Sequence, residues 1–142
     1  VGFRIIAKYL HDIDNKVIET LEKNMKLHYV LKTQKGNKYY YMFKQAPFFT
    51  GDKFFNTYEG VWETVNKECL QYCVKQNIEL IIIGYPDGKL YCIEPLKWVK
   101  ISHEYNAIRT NEDGRMLKKD GKIVLKDEET YHVPLRKLRR FN

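Results

Sequence analysis

Apolar side chains recur along this chain with two different periods, and the period predicts the element. Ile13, Val17, Ile18, Leu21 and Met25 fall at helical spacing, which predicts a helix capped by Asp12 or Asp14 and ending near Met25. Glu19 and Lys23 then form an i,i+4 pair on its wet face. Val61, Val65, Cys69, Tyr72, Cys73 and Gln76 share one face of a second predicted helix, residues 57–77, with Asn77 suited to the position after its end. Trp62 and Leu70 lie at the margin of that face. Elsewhere the pattern is extended. Residues 1–10 predict a short strand, and residues 27–33 and 38–45 a hairpin turning at Gln34-Lys35-Gly36-Asn37. Residues 46–56 hold Pro47 and Gly51 and predict a loop.

The clearest β signal is the aliphatic run Leu80-Ile81-Ile82-Ile83 before Gly84, which suits a central strand buried on both faces. Tyr85-Pro86-Asp87-Gly88 is turn chemistry. Residues 89–94 return as the partner strand, and Pro95 ends the pairing. Residues 102–130 are polar, with turn signals at 111–114 and 119–121 around short strands. Residues 131–135 predict a last strand, followed by the basic end Arg136-Lys137-Leu138-Arg139-Arg140. No internal repeat or linker interrupts the 142 residues, so one domain of the α+β class is expected: a mixed central β-sheet with flanking helices.

Composition narrows the classes. At 44% hydrophobic and 30% charged, the chain is neither a disordered tail nor a membrane protein. Its first residues lack the apolar stretch of a signal peptide, so a cytoplasmic location and no membrane partner are expected. Cys69, Cys73 and Cys92 have no Cys or His pair at zinc spacing after them and read as reduced core thiols. The excess of 25 Lys and Arg over 18 Asp and Glu, net +7, favours a polyanionic partner.

Three constellations can act on such a partner. Ten aromatics lie between Lys26 and Tyr58, interleaved with Lys35, Lys38 and Lys44. In an alternating strand Tyr39, Tyr41 and Phe43 point one way, and Lys38, Tyr40, Met42 and Lys44 the other. Rings can stack bases while ammonium groups meet phosphates; the same rings can equally build the core of a small domain. Arg136, Arg139 and Arg140 either contact phosphates or form a solvated basic tail. Third, a hairpin of this length sets Glu79 roughly against Glu94. Carboxylates of Glu79, Glu94 and Asp87 meeting at one point would repel unless Mg²⁺ or Mn²⁺ sat between them, where the ion would generate hydroxide beside a phosphate. Charged strand ends at the solvent boundary, with Asp87 serving only its turn, are the plainer account.

The segment from Glu79 through Leu-Ile-Ile-Ile-Gly-Tyr-Pro-Asp-Gly-Lys-Leu-Tyr-Cys-Ile to Glu94-Pro-Leu-Lys97 resembles the core hairpin of the PD-(D/E)XK nuclease superfamily. The resemblance implies a restriction-endonuclease-like core, metal-dependent cleavage of DNA and often a homodimer. Glu79, Glu94 and Lys97 would be catalytic, with Glu63 or Glu68 of a preceding helix as a further acid. The segment departs from the family pattern in two places: Glu79 stands where Asp is usual, and Leu96 occupies the Lys position. No phosphate loop, dinucleotide fingerprint, Ser-His-Asp pattern or zinc signature is present. Two other readings remain beside the nuclease: a non-catalytic nucleic-acid-binding module and a small protein-interaction domain.

Overall fold

The computed structural model describes residues 6, 17–25, 28–33, 35–44, 49–50, 53–54, 61–110, 116–119, 122–125 and 129–142. Its centre is a six-stranded sheet built from β1 (Val17–Met25), β2 (His28–Thr33), β3 (Lys38–Phe43), β7 (Leu80–Gly84), β8 (Leu90–Ile93) and β13 (Arg139–Arg140), adjacent in that order. All neighbours are antiparallel except β3 and β7, which run parallel with Tyr41 opposite Ile82. A parallel pair needs a crossover. Here it passes through β6 (Trp62–Asn66) and helix α1 (Lys67–Lys75). A second sheet sets β12 (Thr130–Pro134) between β6 and β9 (Ile108–Arg109). Helix α2 (Pro95–Glu104) packs on β12 and α1. Two small hairpins complete the described strands: β4 (Phe49–Thr50) with β5 (Lys53–Phe54), and β10 (Met116–Lys119) with β11 (Lys122–Leu125). The class is α+β, with a mixed sheet and helices, as the hydrophobic pattern predicts. Among the described residues, no helix is long and apolar enough to cross a membrane.

Both faces of the central sheet are covered. Val30, Tyr40, Met42, Ile81 and Ile83 pack on one side with Leu70, Cys73, Trp98, Ile101 and Val133 of the helices and second sheet. Leu31, Tyr39, Tyr41, Phe43, Ile82, Leu90 and Cys92 pack on the other, together with Ile6. The alternation expected along β3 is therefore right, and each of its two faces meets a core. α2 begins where Pro95 ends the sheet pairing. Its fixed φ and missing N–H suit a first helical position, with Glu94 extended before it. Trp98 donates from Nε1 to the Tyr131 carbonyl (3.1 Å) and Ser102 from Oγ to the His132 carbonyl (3.0 Å), which ties the helix to β12.

Several expectations need correction. Residues 17–25 form a strand where a helix was predicted. Val17, Ile18 and Thr20 are β-branched, and pairing with β2 satisfies the backbone along the segment, through three register irregularities. The helix predicted for residues 57–77 starts only at Lys67. The preceding five residues follow a period of two, with Glu63 and Val65 buried, and pair with β12. Asn66 makes the boundary: its side chain accepts from the Cys69 N–H (2.8 Å). Asn77 follows the helix at φ +56°, as the sequence suggests. The expected 46–56 loop contains β4 and β5. Of the strand expected at residues 1–10 only Ile6 is described; it is helical and fully buried, and the rest lies outside the described residues. The basic end is no free tail: Arg139 pairs with Cys92 and Arg140 with Tyr91 at the edge of the central sheet.

Gly84 closes β7 where the Tyr41 ring crosses it, and a Cβ there would meet the ring at 2.8 Å (Cε2) and run into the hydroxyl. Gly84→Ala is expected to destabilise the protein by about 1–3 kcal/mol through overpacking. Adding Tyr41→Phe, which removes the hydroxyl, recovers part of that loss. Urea unfolding of both variants checks this; an unchanged midpoint in Gly84→Ala contradicts it.

Candidate nucleic-acid interface

The hairpin register decides where the acids go. Ile81 faces Ile93, and one further step sets Glu94 against Leu80, not Glu79. Adjacent positions of a strand point to opposite faces, so the two glutamates diverge. Glu79 is exposed, its backbone N–H bonded to the Lys38 carbonyl (3.0 Å). Glu94 is held by Arg139 in a two-pronged pair, Nη1 to Oε2 at 2.9 Å and Nη2 to Oε1 at 2.6 Å. Those charge-assisted bonds keep its carboxyl below the usual range, against some burial. Asp87 lies at the opposite, turn end of the ribbon. It accepts from the Lys89 N–H (3.0 Å) and pairs with the Lys89 ammonium (3.5 Å), which is the work of a turn residue. Lys97 sits exposed in the first turn of α2 and off the strand, because Pro95 has already started the helix. Glu68 is exposed on α1. Among the described residues no three His, Cys, Asp or Glu side chains are placed to hold a metal. Glu79, Asp87 and Glu94 therefore do not fit an Mg²⁺ or Mn²⁺ centre: one is bound at both oxygens by Arg139, one serves a turn, and one stands apart.

Glu63, expected on a helix, is a buried strand residue. Tyr85 donates its hydroxyl to Oε1 (2.7 Å), and the Lys44 ammonium lies 3.8 Å from Oε2. Burial pushes this carboxyl up, and Lys44 and Tyr85 oppose the rise without cancelling it. Lys44 also acts on His28, whose Nδ1 lies 3.1 Å from the Tyr40 hydroxyl. Burial first, and the Lys44 charge second, lower His28 to about 4. These polar groups cluster at the core's edge, where Lys44, partly exposed, pairs with Glu63. The cysteines are free thiols; Cys73 and Cys92 are buried and Cys69 is half-buried.

The aromatic strand is no stacking platform. Tyr39 is 5% exposed and Tyr41 fully buried, so no base can reach either ring. Tyr41 stacks on Tyr29 and Tyr39 meets Phe141 edge-on. The core account of these rings holds, because the sheet needs bulk on both faces. Lys35 is exposed in the turn and Lys38 half-buried at the strand start.

Cations and accessible rings meet instead where the chain leaves β12. A short 3₁₀ turn, Leu135–Lys137, buries Leu135 and turns Arg136 and Lys137 outward. Arg136 lies 5.6 Å over the Tyr105 ring and Lys137 6.0 Å from it; Arg136 also donates to the Tyr105 hydroxyl (3.3 Å). Trp62, 43% exposed, meets Tyr105 edge-on at 5.7 Å. Further along, Arg140 lies 5.6 Å over Tyr91. Arg136, Lys137 and Arg140 have no acidic partner among the described residues, in contrast to Arg139. The sequence shows the basic run but misses Trp62 and Tyr105, because only the β6–β12 pairing, with Pro134 opposite Trp62, carries Trp62 to this place. The alternation of residues 62–66, read as a strand, would have put Trp62 on the wet side.

No family model matches the chain, and neither a curated protein nor a solved structure matches it.

The lowered His28 gives a signed pH dependence. Its folded value, about 4, lies below the ordinary 6.5, so the folded protein binds fewer protons between them. The stability this neutral ring contributes is present above pH 6.5 and is lost as pH falls toward 4. Glu63 has the opposite sign: the benefit of its bound proton is present at low pH and is lost as pH rises through its raised value. Chemical unfolding near pH 7 and pH 4.5 is expected to show the His28→Gln variant losing less stability on acidification than the parent, by on the order of 1 kcal/mol after allowing for the ring's partial exposure. Parallel losses contradict the assignment.

Proposed function

We propose that this domain binds single-stranded nucleic acid through the cationic and aromatic strip formed by Arg136, Lys137 and Arg140 with Trp62 and Tyr105, and does not hydrolyse it. The observation that carries this reading is the set of three outward cations without acidic partners among the described residues, Arg136 and Lys137 on a short 3₁₀ turn and Arg140 on the paired sheet edge that follows, beside Trp62 and Tyr105. The net charge of +7 supports a polyanionic partner. Cations held on a 3₁₀ turn anchored by buried Leu135 and on a paired strand lose less freedom on binding than cations on a free tail. The exposed Trp62 ring favours single strands, whose unpaired bases offer faces for stacking. DNA, the substrate class that the nuclease resemblance implies, and RNA both present these groups. The hydrolytic reading draws no support from the hairpin, where Arg139 occupies Glu94 and Glu79 points elsewhere.

Fluorescence anisotropy with labelled single-stranded DNA, RNA and duplex DNA tests the proposal. Affinity for the single strands is expected to fall linearly with salt on logarithmic axes. Arg136→Ala and Arg140→Ala each make that slope shallower by about 0.7. Trp62→Ala costs about 1–3 kcal/mol on single strands and little on the duplex. Strands incubated with Mg²⁺ or Mn²⁺ stay intact. Salt-insensitive binding, or none at low salt, rejects the interface; cleavage abolished by Glu94→Gln restores the nuclease.

A further inference from the structure

A second surface, separate from the cationic strip, lies between the two helices. Leu70 and Val74 of α1, Val99 of α2 and Tyr131 of β12 line a groove of about 370 Å³, with Lys67 and Lys75 also on its wall. Leu70 and Val74 are one helical turn apart and form an apolar row. Val74 is 47% exposed, one of few large apolar side chains left open to water among the described residues. Lys67 and Lys75 are the first and last residues of α1. Eight residues of helix put them about 12 Å apart. Lys75 has no acidic partner among the described residues. Among the described residues Lys67 is met by Glu129 at 3.9 Å, whose carboxylate also accepts from the Tyr131 hydroxyl (3.2 Å); both charged side chains are well exposed, and an exposed pair of this kind is weak enough for a competing carboxylate to replace.

We propose that this groove receives an acidic amphipathic helix of a partner polypeptide. Its apolar row, at i and i+4, would lie against Leu70, Val74 and Val99. Carboxylates about two turns apart would meet Lys67 and Lys75. Charge complementarity selects this occupant. The floor is largely apolar and Lys75 leaves one end cationic, while at the other end a partner carboxylate would have to displace Glu129 from Lys67, so a basic helix is disfavoured chiefly at the Lys75 end. The lining follows the full length of α1, which matches a helix laid alongside it. The volume stands at the low end of small-molecule sites and suits a row of two or three side chains. This inference does not rest on nucleic-acid binding, since the groove shares no residue with the cationic strip.

The probe is a labelled synthetic Ala-rich helix carrying two Leu at i and i+4, with one Glu three residues before the first Leu and another one residue after the second, eight residues or about 12 Å apart. A twin has Lys in place of both Glu. The acidic helix is expected to bind saturably and roughly tenfold tighter than its twin. Lys75→Glu weakens it about fivefold, and Val74→Asp abolishes it. Positions 74 and 75 are exposed, so both variants are expected to remain folded, with a midpoint lowered only modestly because an acid in the last turn of α1 opposes the helix dipole; that measurement separates lost binding from lost fold. Equal affinity for the two helices, no saturable binding, or indifference to both substitutions overturns the proposal. Saturable binding of dodecanoate without binding of the acidic helix overturns it in favour of a small anionic amphiphile.

Discussion

The parallel pairing of β3 with β7 is the constraint from which the rest of this structure follows. Parallel strands require a crossover between them and cover on both faces. The crossover is β6 and α1, which fall on one side of the sheet. Its return path sets Val65, Leu70 and Cys73 over Tyr40, Met42, Ile81 and Ile83. The opposite side closes over Tyr39, Tyr41, Phe43 and Ile82. With both sides closed, aromatics concentrated in β3 have no route to solvent. Their number reflects the volume to be filled on two faces of a small sheet.

The same constraint governs the polar groups. A strand that delivers Glu63 beneath the sheet's end must satisfy its carboxylate, and Tyr85 and Lys44 do so from the ends of β7 and β3. That pairs the partly exposed Lys44 with Glu63, beside the His28–Tyr40 contact. At the other end of β7, Glu94 stands between a strand and a helix and is neutralised by Arg139 across the last sheet pairing. The acids therefore serve individual structural tasks at separate places. A shared metal would have required at least two of them to turn toward one point.

The two proposed surfaces lie largely at positions the two cores leave exposed. The chain leaves β12 with Leu135 buried and its neighbours outward, then pairs with β8, so Arg136, Lys137 and Arg140 are displayed on a fixed frame. Trp62 and Tyr105 reach the same place from β6 and the end of α2. The groove over α1 arises in a related way: α1 and α2 pack side by side and leave Val74 uncovered. Both surfaces combine apolar or aromatic area with cations that have no acidic partner among the described residues, Arg136, Lys137 and Arg140 on one and Lys75 on the other, the combination that suits partners carrying acid groups on an apolar or stacked scaffold.

Local rules decided much of this protein. The buried run at residues 80–84, its Pro-Asp-Gly turn, the hairpin through residues 28–43, the Asn77 helix end and the alternation along β3 were all readable, because each rests on side-chain period or turn chemistry within a few residues. Period alone could not separate strand from helix at residues 17–25 or 62–66, where the apolar residues satisfy both patterns and the partner strand, distant in sequence for β6, supplies the deciding hydrogen bonds. The candidate site was least legible. Whether Glu79 and Glu94 converge depends on a one-residue register, and whether Tyr39 and Tyr41 meet solvent depends on what covers the second face. Residue type proposed the chemistry; the pairing of strands far apart in the chain decided which side chains are exposed to perform it.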